Sequence, residues 1–201
     1  MAWFNHFINT NHQFYHFPNR VVNVLQSNIV RPSMIGWYEA DYGFSSSQWL
    51  DKSGRNYHLL QPTLAKQPAL VNSVVNGLPV VRFTGVEWMQ AIYGTTYNAP
   101  FTIFIVTKSN SPTLGTLIDS YNNYSYFYYQ APSPYNRTGL GGITQVPEIR
   151  DTTPLINTKF VLNTLIANGV NSSISENSLL KVSGNAGTLK YNGLTVGQVI
   201  F

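Results

Sequence analysis

Residues 49–85 contain three turn or breaker signals in close succession, and these set what the chain between them can form. Asp51-Lys52-Ser53-Gly54 is the first. An Asp side chain accepts hydrogen bonds from the backbone N–H groups just ahead of it, and glycine adopts positive φ without a steric penalty. Asn76-Gly77 is a hairpin signal between two apolar runs, Leu70-Val71 before it and Leu78-Pro79-Val80-Val81 after it. Residues 80–84 then read as a strand that ends at Gly85. The block therefore reads strand, turn, strand, turn, strand.

The same punctuation continues along the chain. Residues 35–41 read as a strand of mixed pattern, 43–47 as a polar loop, 87–91 as a strand carrying Trp88 and Met89, and 93–100 as a loop with Gly94, Asn98 and Pro100. Residues 101–108 are apolar on both alternating sets, Phe101, Ile103 and Ile105 against Phe104 and Val106, which predicts a strand covered on both faces. A strand pair is predicted through 117–129, a Pro- and Gly-rich loop over 132–142, and strands at 160–167 and 174–182. A last hairpin is predicted over 189–201, around Asn192-Gly193. About twelve short strands with frequent turns and no helical periodicity predict an all-β antiparallel sandwich.

These residues resemble the laminin-G-like branch of the concanavalin A-like lectin/glucanase superfamily. The resemblance rests on Trp49-x-Asp51-x-Ser53-Gly54, then Gln67-Pro68, then Asn76-Gly77-x-Pro79-x-Val81-Arg82-Phe83-x-Gly85. Residues 35–41 look like the family's opening strand, 101–106 like its central strand and 191–201 like its closing strand. The likeness covers roughly residues 30–201 and implies a jelly-roll sandwich over 31–201, with residues 1–30 as an extended N-terminal arm. It implies no single activity, because this fold hosts lectins, hydrolases, lyases and structural modules.

Charge is scarce, 10% of 201 residues, while aromatics reach 14% and tyrosine alone numbers 13. The net charge of +4 is dispersed, with no Lys or Arg cluster, so nucleic acid is not an expected partner. No apolar run approaches membrane-spanning length, so no membrane partner is expected either. The absence of cysteine excludes a disulfide framework and thiolate chemistry. The first residues, Met1-Ala2-Trp3-Phe4-Asn5-His6, lack the pattern of a secretory signal. A virion location is therefore expected, with an extracellular one as the alternative.

The arm carries Trp3, Phe4, Phe7, Phe14, Tyr15 and Phe17 without a clean period until residues 21–25. Such a segment needs a surface to lie on, either its own sandwich or another subunit of an assembly. An oligomer is expected, and removal of residues 2–28 is expected to leave the sandwich folded while abolishing assembly. His12 and His16 have the spacing of a helical metal pair, but no carboxylate or cysteine lies nearby in sequence.

Glycosidic hydrolysis typically needs two carboxylates flanking the scissile bond. The eight acids are Glu39, Asp41, Asp51, Glu87, Asp119, Glu148, Asp151 and Glu176, and none forms the Glu-x-Asp-x-x-Glu arrangement of the glucanase relatives. Glu39 and Asp41 would share one face of a strand, and Asp51 is expected to close its own turn. No Gly-x-Ser-x-Gly elbow and no phosphate-cradling loop before a helix is present. No catalytic residue, metal or cofactor is assigned. Asp119 with Asn122 and Asn123 is the best local oxygen cluster for the calcium known in relatives. The candidate ligand or interface residues are aromatic: Tyr121, Tyr124, Tyr126, Tyr128 and Trp88. If 124–130 is a strand, Tyr124, Tyr126, Tyr128 and Gln130 share one face, and Phe127 and Tyr129 go to the core. A row of phenol rings suits a protein interface or sugar stacking. The leading expectation is a non-enzymatic structural, decoration or adhesion component of a phage-type particle. The alternative is a carbohydrate-binding module or receptor-binding protein for cell-surface glycans. A polysaccharide-degrading enzyme ranks third.

Overall fold

Sixteen strands organise the computed structural model, which describes residues 2–4, 33–108, 115–121, 126–130, 137–141, 147–151 and 159–197. They are β1 (Ala2–Phe4), β2 (Phe44–Ser45), β3 (Gln48–Trp49), β4 (Leu59–Leu60), β5 (Ala69–Val75), β6 (Leu78–Phe83), β7 (Trp88–Asn98) and β8 (Phe101–Thr107). There follow β9 (Gly115–Asp119), β10 (Tyr126–Gln130), β11 (Arg137–Gly141), β12 (Ile149–Asp151), β13 (Val161–Ala167), β14 (Ser172–Glu176), β15 (Leu179–Gly184) and β16 (Lys190–Gly197). Every pairing is antiparallel. A nine-stranded sheet has the order β12-β11-β10-β9-β16-β7-β4-β3-β2, a four-stranded sheet β15-β14-β13-β8, and a three-stranded sheet β1-β6-β5. The chain is an all-β antiparallel sandwich.

Period-two patterning explains how the two larger sheets face each other. Along β8 the buried positions are Phe101, Ile103, Ile105 and Thr107, and along β13 they are Val161, Asn163, Leu165 and Ala167. They meet Leu59, Met89, Ala91, Ile118, Phe127, Leu194 and Val196 from the nine-stranded sheet in one apolar core. Each large aliphatic or aromatic side chain buried this way contributes about 1.5–3 kcal/mol. Asn163 and Thr107, the two polar residues in this set, are fully buried and meet each other: Asn163 Nδ2 donates to Thr107 Oγ1 at 2.9 Å.

The expected hairpin at Asn76-Gly77 is present between β5 and β6. Both residues have positive φ, 49° and 78°, the conformation that a two-residue primed turn requires. Asn177-Ser178, at 46° and 69°, joins β14 to β15 in the same way. Strands expected at 80–84, 101–108 and 160–167 are found as β6, β8 and β13, and Trp49 and Phe83 are buried as expected; Phe104, expected to be buried with them, is only partly buried, because just one face of β8 enters the core and its second face, Thr102, Phe104 and Val106, is not fully covered.

Five expectations are corrected. Residues 35–41 form no strand, because Trp37 uses its N–H and C=O on Asp51 Oδ1 and Lys52 N rather than on a ladder. Residues 43–47 are not simply a loop, since Phe44 pairs with Trp49 in the β2-β3 hairpin. β7 runs on through 93–98, where a loop was expected: Tyr93 is buried and Tyr97 pairs with Tyr191. Residues 137–141 form β11 despite their glycines, held between β10 and β12. Asn192-Gly193 is not a turn. It is an irregularity inside β16, where the register against β7 shifts between Tyr191 and Gly193. A Cβ at Gly193 would lie 2.5 Å from the Ala91 carbonyl oxygen and 2.6 Å from Tyr121 Cβ, so the glycine serves close approach.

In the arm, Ala2, Trp3 and Phe4 pair with Phe83, Arg82 and Val81 of the chain's own β6. Phe7, Phe14, Tyr15 and Phe17, with His12 and His16, lie outside the described residues.

Asp51 ties the opening segment to the sheet. Oδ1 accepts from Trp37 N at 3.0 Å and Ser53 N at 2.8 Å, and Oδ2 accepts from Ser53 Oγ at 2.7 Å and Tyr57 N at 3.1 Å. Its own N–H donates to His58 Nδ1 at 3.0 Å. Asp51→Ala removes one acceptor from four donors in a buried site. The expected loss exceeds about 2 kcal/mol in urea denaturation, with the midpoint lowered and the slope unchanged. A loss under about 0.5 kcal/mol would mean that water replaces the carboxylate.

Candidate ligand-binding face

The face of the nine-stranded sheet turned away from the core brings the chemistry-bearing side chains together. In β7, Met89, Ala91 and Tyr93 enter the core, so Trp88, Gln90 and Ile92 project from the opposite face. In β16, Leu194 and Val196 are core residues, which turns Thr195 outward. Ile118 of β9 pairs with Val196 and is a core residue, which turns Asp119 outward beside its partner Thr195. One cross-strand row therefore reads Gln48, Leu60, Gln90, Thr195, Asp119.

Trp88 and Tyr121 flank the Gln90–Thr195–Asp119 part of this row on opposite sides. Trp88 is half-buried and precedes Gln90 by two positions. Its carbonyl accepts from Gln61 Nε2 at 2.8 Å, which fixes the entry to β7. Glu87 before it closes the turn from β6. Thr84 N and Thr84 Oγ1 donate to its carboxylate, each at 2.6 Å, with Gly85 N at 3.1 Å. Burial pushes the Glu87 carboxyl up, and these hydrogen bonds outweigh it, leaving its pKa below the ordinary carboxylate value. Tyr121 follows Asp119 by two positions and is 39% exposed, with its Cβ over Gly193. From strand spacing and residue rise, Trp88 and Tyr121 are separated by roughly 16 Å across the face. Ile92, 59% exposed, and Leu60, 49% exposed, add apolar surface around the polar row.

Within the row, Gln90 Nε2 donates to Thr195 Oγ1 at 2.9 Å. Asp119 is fully buried, and neither carboxylate oxygen has a hydrogen-bond partner among the described residues. Burial pushes its pKa up to about 7.

The other acids have structural partners or lie apart. Glu39 pairs with Lys52 Nζ at 2.6 Å and accepts from Trp37 Nε1 at 3.1 Å. Asp41 is exposed, and the two do not share a strand face as expected. Arg150 Nη2 pairs with Glu148 at 2.6 Å, and Lys181 Nζ lies 3.6 Å from Asp151 and 4.0 Å from Glu176. Among the described residues no three His, Asp or Glu side chains gather as a metal site.

Of the aromatic candidates, Trp88 and Tyr121 are on this face. Tyr126 is opposite Asp119, and Tyr128 opposite Thr116, in the β9-β10 register. Phe127 is buried as expected. Tyr124 lies outside the described residues, as do Asn122 and Asn123. Gln90 and Thr195 escaped the sequence reading. The period-two set Trp88, Gln90, Ile92 was visible in the sequence, whereas Thr195 and Asp119 become its neighbours only through strand register.

No protein-family model matches the chain. No curated protein matches it. Among solved structures, it is similar to the carbohydrate binding module CBM66 from Bacillus subtilis, over 66% of this chain and 89% of that one, at 13% identity and a TM-score of 0.39.

Asp119 makes stability pH-dependent in a defined direction. Its folded pKa of about 7 lies above the ordinary aspartate value of 3.8. Between pH about 4 and 7 the unfolded chain has lost this proton and the folded chain retains it. Stability is therefore full at the acid end, falls as pH rises, and levels off above about 7, with a slope of at most about 1.4 kcal/mol per pH unit. Asp119→Asn is expected to flatten the wild-type fall between pH 5 and 7.5 in urea midpoints. Parallel curves for the two proteins would mean that Asp119 ionises normally.

Proposed function

We propose that the chain is a non-catalytic carbohydrate-binding module and that the outward face of its nine-stranded sheet holds the glycan. The observation that carries this reading is the combination on one face of two aromatic residues, Trp88 and the partly exposed Tyr121, with a polar row between them. Aromatic rings stack on the apolar faces of sugar rings, while the partly buried Gln90, steadied by its hydrogen bond to the buried Thr195, offers an amide partner for sugar hydroxyls. The separation of the two aromatics exceeds a single sugar ring, so an oligosaccharide or polysaccharide is the matching ligand class. No pair of carboxylates flanks this row among the described residues, which supports binding rather than hydrolysis.

The test is affinity electrophoresis and calorimetry against a panel of soluble polysaccharides. Trp88→Ala and Tyr121→Ala are each expected to weaken binding at least about tenfold, or ~1.4 kcal/mol. Ile166→Ala, on the other sheet, is expected to leave it unchanged. Equal binding by wild type and both aromatic variants would refute this face as the site, and release of reducing ends would refute the non-catalytic reading.

A second reading, as a structural or adhesion component of a virion-type assembly, has its own supporting observation. The outward face of the four-stranded sheet carries no charge in two successive cross-strand rows: Phe104, Thr164, Ser175, Leu180 and Thr102, Ile166, Ser173, Ser183. Leu180 is 58% exposed on it. Exposed apolar surface of this kind suits a protein neighbour. Ile166→Lys with Leu180→Lys is expected to shift a self-associating species to monomer in sedimentation velocity. An unchanged profile counts against this face as an interface.

A further inference from the structure

A second group of side chains converges at the corner where the turn over 51–57 meets the end of β7. Tyr97 lies seven positions along β7 from Gln90, roughly 20 Å at the rise of a strand, so this corner is apart from the outward row. Tyr57 stacks on the buried Tyr93 with ring centroids 4.3 Å apart, and Tyr97 stands edge-on to both, at 6.5 and 5.8 Å. Two half-buried rings are thereby anchored to the core. The guanidinium of the exposed Arg55 lies over the Tyr97 ring, 5.8 Å from its centroid, and Arg55 Nε donates to the Met34 carbonyl at 2.6 Å. Both contacts orient the cation before any ligand arrives.

The polar tips of these three side chains meet. Arg55 Nη1 donates to Tyr97 Oη at 3.4 Å, and the hydroxyls of Tyr97 and Tyr57 share a hydrogen bond of 3.2 Å in which either oxygen can donate. Two phenols carry two protons, and the shared bond uses one of them. The other has no acceptor among the described residues. The hydrogen bond from Tyr97, then burial, raises the Tyr57 pKa, so that proton stays on oxygen at neutral pH. Asp51, the acid nearest in the chain, is buried with its carboxylate turned to Trp37, Ser53 and the Tyr57 N–H.

The corner thus sets a guanidinium beside a phenol O–H. Donors side by side match the two oxygens of a carboxylate, and the charge-assisted bond is stronger than one to a neutral hydroxyl. We propose that Arg55, Tyr57 and Tyr97 form a subsite for the carboxylate of an acidic sugar, a hexuronic acid unit of a glycan. This inference rests on the carbohydrate-binding reading and narrows its ligand to polysaccharides that carry uronate units. A free organic carboxylate shares the recognised group, and the experiment separates the two.

The full chain, labelled with ¹³C at tyrosine and ¹⁵N at arginine, is titrated with glucuronate, glucuronate methyl ester, glucose and acetate, and the NMR signals of Tyr57, Tyr97 and Arg55 are followed. Glucuronate is expected to give saturable shifts with a Kd on the order of millimolar. The ester, glucose and acetate are each expected to bind at least about tenfold more weakly, the first two for want of charge and acetate for want of the sugar ring. Arg55→Gln and Tyr97→Phe, with melting temperatures checked against wild type, are each expected to weaken glucuronate at least about fivefold, and Arg55→Lys to fall between wild type and Arg55→Gln. Trp88→Ala is expected to leave these shifts unchanged. Absence of the shifts while polysaccharide binding still depends on Trp88 removes the uronate subsite alone; shifts that persist when polysaccharide binding is indifferent to Trp88 and Tyr121 uphold the subsite and remove the outward face. Equal binding of the methyl ester, acetate binding as tightly as glucuronate, or undiminished binding by Tyr97→Phe would each overturn the proposal.

Discussion

The packing of the segment before β2 against the core depends on the carboxylate of Asp51. The segment before β2 has no strand ladder to hold it, and backbone polar groups near a core must find partners. Asp51 meets that need with four acceptor positions, drawing Trp37, Ser53 and Tyr57 to one point. Tyr38 is thereby carried into the core beside Trp49, at 5.9 Å between ring centroids, and its hydroxyl reaches the Tyr57 carbonyl. Tyr57 in turn stacks on Tyr93 at 4.3 Å, with Tyr97 edge-on to both. An aromatic wall is therefore built from one turn residue outward.

The nine-stranded sheet divides labour between its faces. One set of alternating positions is spent on the core. The other set carries the Gln90–Thr195–Asp119 row, with Trp88 and Tyr121 on opposite sides of it. Asp119 is the point of tension on that second face. Its carboxyl is buried without a hydrogen-bond partner among the described residues, and burial lifts its pKa to about 7. Unsatisfied buried polar groups lower stability, and their retention in folded proteins is commonly associated with function.

Local chemistry made much of the fold legible. Asn76-Gly77 was read as a turn and is one, because the two apolar runs flanking it pair with each other. Asn192-Gly193 has the same dipeptide and was read the same way, yet it lies inside β16. The difference is non-local: Ala91 and Tyr121 press against Gly193 from β7 and from just beyond β9, and the space they need is what calls for glycine. Likewise the glycines of 137–141 suggested a loop, and the ladders of β10 and β12 on either side made a strand of them.

The sequence by itself determined the all-β class, the turn at Asp51, the buried strands β8 and β13, and the interest of Trp88 and Tyr121, because each follows from residue type and a period of two within a few positions. Tertiary structure alone decided that Trp88, Gln90, Thr195, Asp119 and Tyr121 share a face, and that the Tyr191 hydroxyl is buried without a hydrogen-bond partner among the described residues. Those neighbours come from strands more than a hundred residues apart in sequence, as Gln90 and Thr195 are, separated by 105 positions. Strand register and burial bring such residues together, and neither is written in any local pattern.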